Sequence, residues 1–236
     1  MMIPGEIIDS IREHAESVLP NECCGVIVQD SYGVKYIACT NTSTDVNDFA
    51  ISAEEYADIE DQYKISMIVH SHPNRSCEPS MADKVSCEES SLPWLIMSVP
   101  SGEYSIYEPC GYEAPYLERP FVMGVLDCYS IIRDWYARER LITLPNPKRE
   151  MDFWKDPANN LYVDNFAANG FYQLSSGSTP QPGDVFLMQI RSKIPNHGAL
   201  YIGDGKILQH CLGQLSQRYM YGGTWQFLTT HHLRHA

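Results

Sequence analysis

The sequence predicts an α+β protein of two domains, and three observations lead to that class. A length of 236 residues suits two cores of ordinary size better than one. Within each half, the apolar residues switch between the 3.6-residue spacing of helices and the short runs of buried strands. Between the halves lies Ser101 to Arg119, rich in Gly, Pro and Tyr, where neither pattern persists. The first domain is therefore expected over residues 1–105 and the second over 106–236.

Residues 1–19 place Ile7, Ile8, Ile11, Ala15, Val18 and Leu19 on one stripe, which predicts an amphipathic helix. Acidic residues run along it, and it lacks a charged start followed by an apolar core, so it is no signal peptide. Cys23 to Val28 reads as a strand of small and apolar residues, followed by a second strand and a helix. Ile65 to Val69 is a short apolar run that leads straight into His70, and Pro73 closes that strand. A helix then starts near Ser80, and a last strand covers Leu95 to Val99. In the second domain a helix begins at Cys128, with Ile131, Ile132, Trp135 and Tyr136 on one face and Asp127 as its N-cap. A strand series follows. Leu141 to Gly170, with Pro145, Pro147, Pro157, Phe153, Trp154 and Tyr162, interrupts the order as an irregular insertion that forms a wall of the second site.

Two constellations carry chemistry. His70-Ser71-His72 is followed, after seven residues, by Ser80-Met81-Ala82-Asp83. Side chains two apart on a strand share a face, so both imidazoles reach one metal ion. Asp83 lies one helical turn past Ser80 and supplies a third, oxygen ligand; the fourth position is left for water, the catalytic arrangement of zinc. Ser80-x-x-Asp83 is also, but for its last residue, a helix capping box. In the second half, Cys128 sits in the first turn of its helix, where the dipole and free N–H groups favour a thiolate. Pro182-Gly183-Asp184 turns into a strand, and Asn196 to Leu208 forms a hairpin turning at Gly203 to Gly205, with His197 at its head.

Hairpin register decides the third member of that site. A three-residue loop pairs Ile202 with Lys206 and Ala199 with Gln209, putting Gln209 on the face of His197. A two-residue Asp204-Gly205 turn slips the register by one and presents His210 instead.

The histidine and Ser-x-x-Asp spacing resembles the JAMM/MPN metallopeptidases, which implies a mixed sheet with flanking helices, bound zinc, Glu22 as general base and Ser80 as a donor to the oxyanion. Gly124 to Ser130, Pro182-Gly183-Asp184 and His197-x-x-x-Tyr201-x-Gly203 resemble the NlpC-type cysteine peptidases. That resemblance implies a papain-like helix on an antiparallel sheet, Cys128 as nucleophile, His197 as base and Gln209, about twelve residues on, as the orienting group. The family's usual serine after the cysteine is Tyr129 here.

The formal net charge of −13 argues against nucleic acid, because a phosphate-binding surface needs clustered Lys and Arg. The 8 cysteines show neither Cys-x-x-Cys nor regular spacing, so they fit a reducing cytoplasm, with Cys23, Cys24, Cys77 and Cys87 as small apolar filler. His231, His232 and His235 are expected as solvated imidazoles at the chain end. No run is long enough to span a bilayer, so membrane insertion is not expected.

The two domain types in this order resemble the tail tip assembly proteins of lambda-type phages. The resemblance implies synthesis in the host cytoplasm, delivery to the wall at the virion tail tip, other tail tip proteins as partners and peptidoglycan stem peptides as substrate. The metallopeptidase domain would trim a tail protein or serve assembly. A structural component with relic sites and a cytoplasmic isopeptidase are the other readings.

Overall fold

Residues 3–31 and 33–236 are described by this computed structural model, and they form two units that part between Glu113 and Ala114. The division falls after the expected 105/106 boundary for a physical reason. The Glu88 carboxylate accepts the N–H groups of Cys110, Gly111 and Tyr112 at 2.8–3.1 Å, tying the Gly- and Tyr-rich stretch back to the first unit.

In the first unit, α1 (Gly5–Ser17) buries Ile7, Ile8, Ile11 and Ala15. The first two residues of the expected helix lie outside the described residues. Its other end comes before Leu19, which is exposed, because Pro20 disfavours helical backbone at the residue before it. The strands β1 (Cys24–Asp30) and β2 (Gly33–Cys39) pair antiparallel. They are followed by α2 (Ala53–Glu60), β3 (Lys64–Pro73), α3 (Met81–Ser90), β4 (Trp94–Val99) and β5 (Tyr104–Tyr107). The sheet order is β2-β1-β3-β4-β5, mixed because the β3 to β4 connection through α3 makes that pair parallel.

Alternation sorts the two faces. Ile27, Met67, Val69, Leu95 and Met97 pack beneath Ile7, Ile8 and Ile11 of α1. Cys24, Val26 and Val28 meet Ile59 of α2, and Ile68 and Trp94 meet Cys87 of α3, on the other face. Burying each large aliphatic side chain contributes about 1.5–3 kcal/mol. Central β3 is covered on both sides, which explains its continuous apolar run. Its even positions extend the α2/α3 face into His70 and His72.

In the second unit, α4 (Cys128–Trp135) runs into a π turn, Tyr136–Arg140, and stops at Leu141, which adopts a left-handed conformation. The insertion that follows holds a 3-10 turn, Phe153–Lys155, and α5 (Leu161–Asn165). Then come β6 (Phe171–Gln173), β7 (Val185–Met188), β8 (His197–Gly203), β9 (Lys206–Gln209), β10 (Gln217–Met220), α6 (Thr224–Leu228) and β11 (Thr229–His235). Their order is β10-β9-β8-β7-β11-β6, with every pair antiparallel. Ile131, Ile132 and Tyr136 press α4 onto Val185, Leu187, Leu200, Leu208 and Leu233. Phe186, Met188, Ala199 and Ile207 face the opposite side, under Tyr201, Tyr221 and Trp225.

The C-terminal histidines are not solvated ends. β11 is inserted between β7 and β6, so His232 bonds to Asp184 at 2.7 Å and the His235 ring packs against Tyr136 and Phe171. Among the described residues, no helix is long and apolar enough to cross a membrane.

Candidate active sites

The first site follows from strand register. β1 and β3 pair with Cys24 opposite His70, and the ladder continues as Ser71 N–H donates to the Cys23 carbonyl while Cys23 N–H donates to Ser71 Oγ. Two residues further, the same register sets Glu22 beside His72. From the other side, Ser80 caps α3: its Oγ accepts Asp83 N–H at 3.1 Å, and Asp83 Oδ2 accepts Ser80 N–H at 2.7 Å. The capping box and the ligand arrangement are thus one structure. The Asp83 carboxylate that closes the cap also spans both imidazoles, Oδ1 at 3.4 Å from His70 Nε2 and Oδ2 at 3.4 Å from His72 Nε2.

The two Nε2 atoms are 3.2 Å apart. Ligands bound to zinc at about 2.0–2.1 Å in a tetrahedron lie roughly 3.3–3.4 Å from one another, so this donor set fits that ion. The tautomer fits as well. His72 Nδ1–H donates to the Ser76 carbonyl at 2.7 Å, which leaves the Nε2 lone pair facing the site. His70 is fully buried, stacked on Phe49 with its edge to Trp94, and its Nδ1 has no protein partner among the described residues. His70, His72 and Asp83 would therefore hold the metal. Burial opposes the charge on Asp83, but hydrogen bonds to the two histidines outweigh it and hold the carboxyl well below the usual range.

Glu22 is almost wholly buried, and burial pushes its pKa up to about 7, against the charges of His72 and Arg75. A carboxyl near neutrality is suited to general base work. Arg75, within the seven-residue spacer, contacts Glu22 Oε1 through Nη2 and was not singled out by sequence.

In the second site Asp127 caps α4, accepting the N–H groups of Tyr129 and Ser130 at 3.0 and 2.8 Å. Cys128 follows, 5% exposed, with Tyr162 Oη 3.5 Å from its sulfur and the Gly198 N–H also bonded to it. The helix terminus does not give the expected thiolate. Burial first, and the adjacent Asp127 charge second, push the thiol up to about 11, more than the Tyr162 and Gly198 hydrogen bonds and Arg149 pull it down.

The hairpin differs from the expected loop yet reaches the expected partner. Gly203 pairs with Lys206 across a two-residue turn, Asp204-Gly205, whose φ values of 51° and 68° are those that turn requires. A bulge at Ile202 absorbs the extra residue, so Tyr201 pairs with Ile207 and Ala199 with Gln209. Gln209 Oε1 then lies 2.9 Å from His197 Nε2, and both side chains are buried. His210 turns away: its ring edge meets Phe121, Nε2–H donates to the Gln214 carbonyl at 3.1 Å, and burial lowers its pKa to about 4.

Sequence reasoning also missed Cys211, whose sulfur lies 3.9 Å from His197 Nε2; the Ala199–Gln209 register points to it, two residues on from each partner. Tyr162 and Arg149 came without a sequence signal for their places at the nucleophile. The insertion does line an apolar cavity of about 40 Å³ through Pro147, Leu161, Tyr162 and Phe166, facing Ile132 and Gly198.

Comparison with known proteins agrees with this division. Residues 4–108 match the model of prokaryotic homologs of the JAB domain, and residues 118–234 match the NlpC/P60 family. Tail tip assembly protein K of Escherichia phage N15 is 38% identical over 223 residues, 93% of this chain and 90% of its own. Tail tip assembly protein K of Escherichia phage lambda is 40% identical over 186 residues, 78% of this chain and 89% of its own. A JAB1/MPN domain protein from Archaeoglobus fulgidus, known by its crystal structure, overlaps 49% of this chain and 95% of its own at 20% identity and a TM-score of 0.35.

Proposed function

The chain belongs to the family of tail tip assembly protein K, and from that footing we propose that it acts in the phage tail tip as a cell-wall peptidase with an accessory metallopeptidase domain. It is made in the host cytoplasm, joins other tail tip proteins and reaches the wall with the virion. Its substrate there is a peptidoglycan stem peptide. The observation that carries the reading is the His197–Gln209 hydrogen bond, built beside a helix that begins at a cysteine.

With Nε2 held by the Gln209 amide oxygen, the His197 ring keeps Nδ1 for the thiol proton, and Gln209 orients the imidazole without carrying charge. Cys128 attacks the peptide carbonyl as thiolate. His197 returns the proton to the leaving amine, and water completes hydrolysis by the same route in reverse.

In the first domain, zinc held by His70, His72 and Asp83 would supply Lewis acidity to a bound water. Glu22 would act as proton acceptor for the attacking water, and the Ser80 hydroxyl, which accepts Asp83 N–H in the cap and also bonds the Asp83 carboxylate, would donate to the oxyanion. This domain trims a tail protein or serves as an assembly platform.

A second reading, an assembly component with silent sites, is favoured by the protonated, buried thiol and by the Arg75 contact on Glu22. Digestion of purified sacculi tests the choice. Peptide fragments identified by mass spectrometry, absent with Cys128→Ala, support the peptidase; intact sacculi with both proteins support assembly alone.

A further inference from the structure

The insertion does more than wall the second site. Arg149, from its middle, is buried with its guanidinium against the N-terminus of α4: Nε donates to Asp127 Oδ2 at 2.6 Å, and Nη2 to the Gly124 carbonyl at 2.9 Å and Ser130 Oγ at 3.2 Å. Nη1 binds the insertion itself, through Asn146 Oδ1 at 2.9 Å and the Pro147 carbonyl at 2.7 Å. Tyr129, in the place of the family's usual serine, belongs to the same assembly. Its hydroxyl donates to the Pro145 carbonyl at 3.0 Å, and its ring lies under the guanidinium at 5.0 Å.

Asp127 is the residue that needs this cation. Its carboxylate is 1% exposed and adjoins the nucleophile, so it caps the helix at the cost of placing a buried negative charge where a thiolate must form. We propose that Arg149 is a positioning residue of the cysteine site, cancelling the Asp127 charge and so setting how readily the Cys128 thiolate forms. The proposal rests on Cys128 being the nucleophile.

The directions agree. Burial opposes ionisation of Asp127, yet Arg149 holds its pKa below the usual carboxylate range, and toward Cys128 the two residues act in opposite senses. The other groups at the thiol are the Tyr162 hydroxyl from the insertion and the Gly198 N–H from β8, the latter adjoining His197.

Alkylation of Cys128 by iodoacetamide, located by peptide mass spectrometry and followed from pH 7 to 10, tests the charge itself. Arg149→Gln should lower the rate at every pH below the midpoint by about tenfold or more, the effect of about one pH unit in thiolate formation expected for an uncancelled neighbouring charge. Arg149→Lys should fall between the two. The double variant Arg149→Gln, Asp127→Asn keeps an N-cap, removes both charges and should return to within about threefold of the original rate.

A purely structural role predicts that the double variant stays as slow as Arg149→Gln, and that result, or an unchanged rate in Arg149→Gln, overturns the proposal. Should Arg149→Gln fail to fold, the double variant decides alone: a rate restored to the original supports charge cancellation, and a slowed one refutes it. Because the readout is thiol chemistry, it stays interpretable if the chain cleaves no sacculus; a Cys128 that never alkylates under native conditions would refute both.

Discussion

The two sites are assembled in opposite ways. The first needs one strand, its antiparallel neighbour and the helix that follows, so the span from His70 to Asp83 contains the three candidate metal ligands found among the described residues and most of the site's geometry. The second is gathered from α4, β8, β9 and the insertion, and its polar bonds depend on a bulge and on a buried ion pair. Their electrostatics differ too: burial brings the Glu22 carboxyl toward neutrality, where a base is useful, but drives the Cys128 thiol away from its reactive form. Local spacing delivers a preorganised site, whereas long-range pairing delivers one that its surroundings can tune.

The largest expected effect tests whether the sites are independent. His70→Ala combined with Asp83→Ala leaves one ligand, His72, and should abolish stoichiometric zinc in metal analysis of the dialysed protein. Alkylation of Cys128 in the same variant should be unchanged. Retained zinc would place the metal elsewhere.

Next in size, Glu22→Gln should keep the zinc but lower turnover on a tail protein substrate by about 10²–10⁴, the usual contribution of a general base. The amide cannot take up the proton. Full turnover in this variant would move the base to another residue.

How much was legible follows from the same contrast. His70, His72, Ser80 and Asp83 could be read because strand and helix periods convert their spacing directly into a shared point in space. Glu22 came through the family resemblance, and the β1–β3 register then sets it beside His72. Gln209 was reached through a loop that does not form: the turn has two residues, and the bulge at Ile202 compensates, which no hydrophobic pattern in a strand this short reveals. Arg149 and Tyr162 lie in a segment without periodicity, where chain direction is set by tertiary contacts. The state of Cys128 was misjudged because a helix terminus is visible in sequence and burial is not.

A single substitution can separate the proposed oxyanion role of Ser80 from its observed role as helix cap. Ser80→Ala should slow the metallopeptidase about a hundredfold, the scale for one oxyanion donor, and also cost about 1 kcal/mol through the lost cap. Ser80→Gly removes every side-chain donor yet weakens the cap only slightly. It should therefore match Ser80→Ala in rate while unfolding in urea nearly like the original; a rate near the original would confine Ser80 to capping.

The smallest effect concerns the hairpin and carries the sharpest structural content. Gln209→Ala should reduce sacculus hydrolysis only partly, by about tenfold, since the amide orients His197 and moves no proton. His210→Asn should leave hydrolysis near its original rate but alter how stability depends on pH. Burial lowers His210 from 6.5 to about 4 in the folded chain, so between those values the unfolded chain binds the extra proton. Stability linked to this residue is complete above about pH 6.5 and is lost as the pH falls toward 4. Urea unfolding across that window should thus show a shallower acid loss in His210→Asn. Were His210→Asn instead to silence hydrolysis while Gln209→Ala left it intact, the two-residue turn would be running without the bulge, and every side chain of β9 would face the other way.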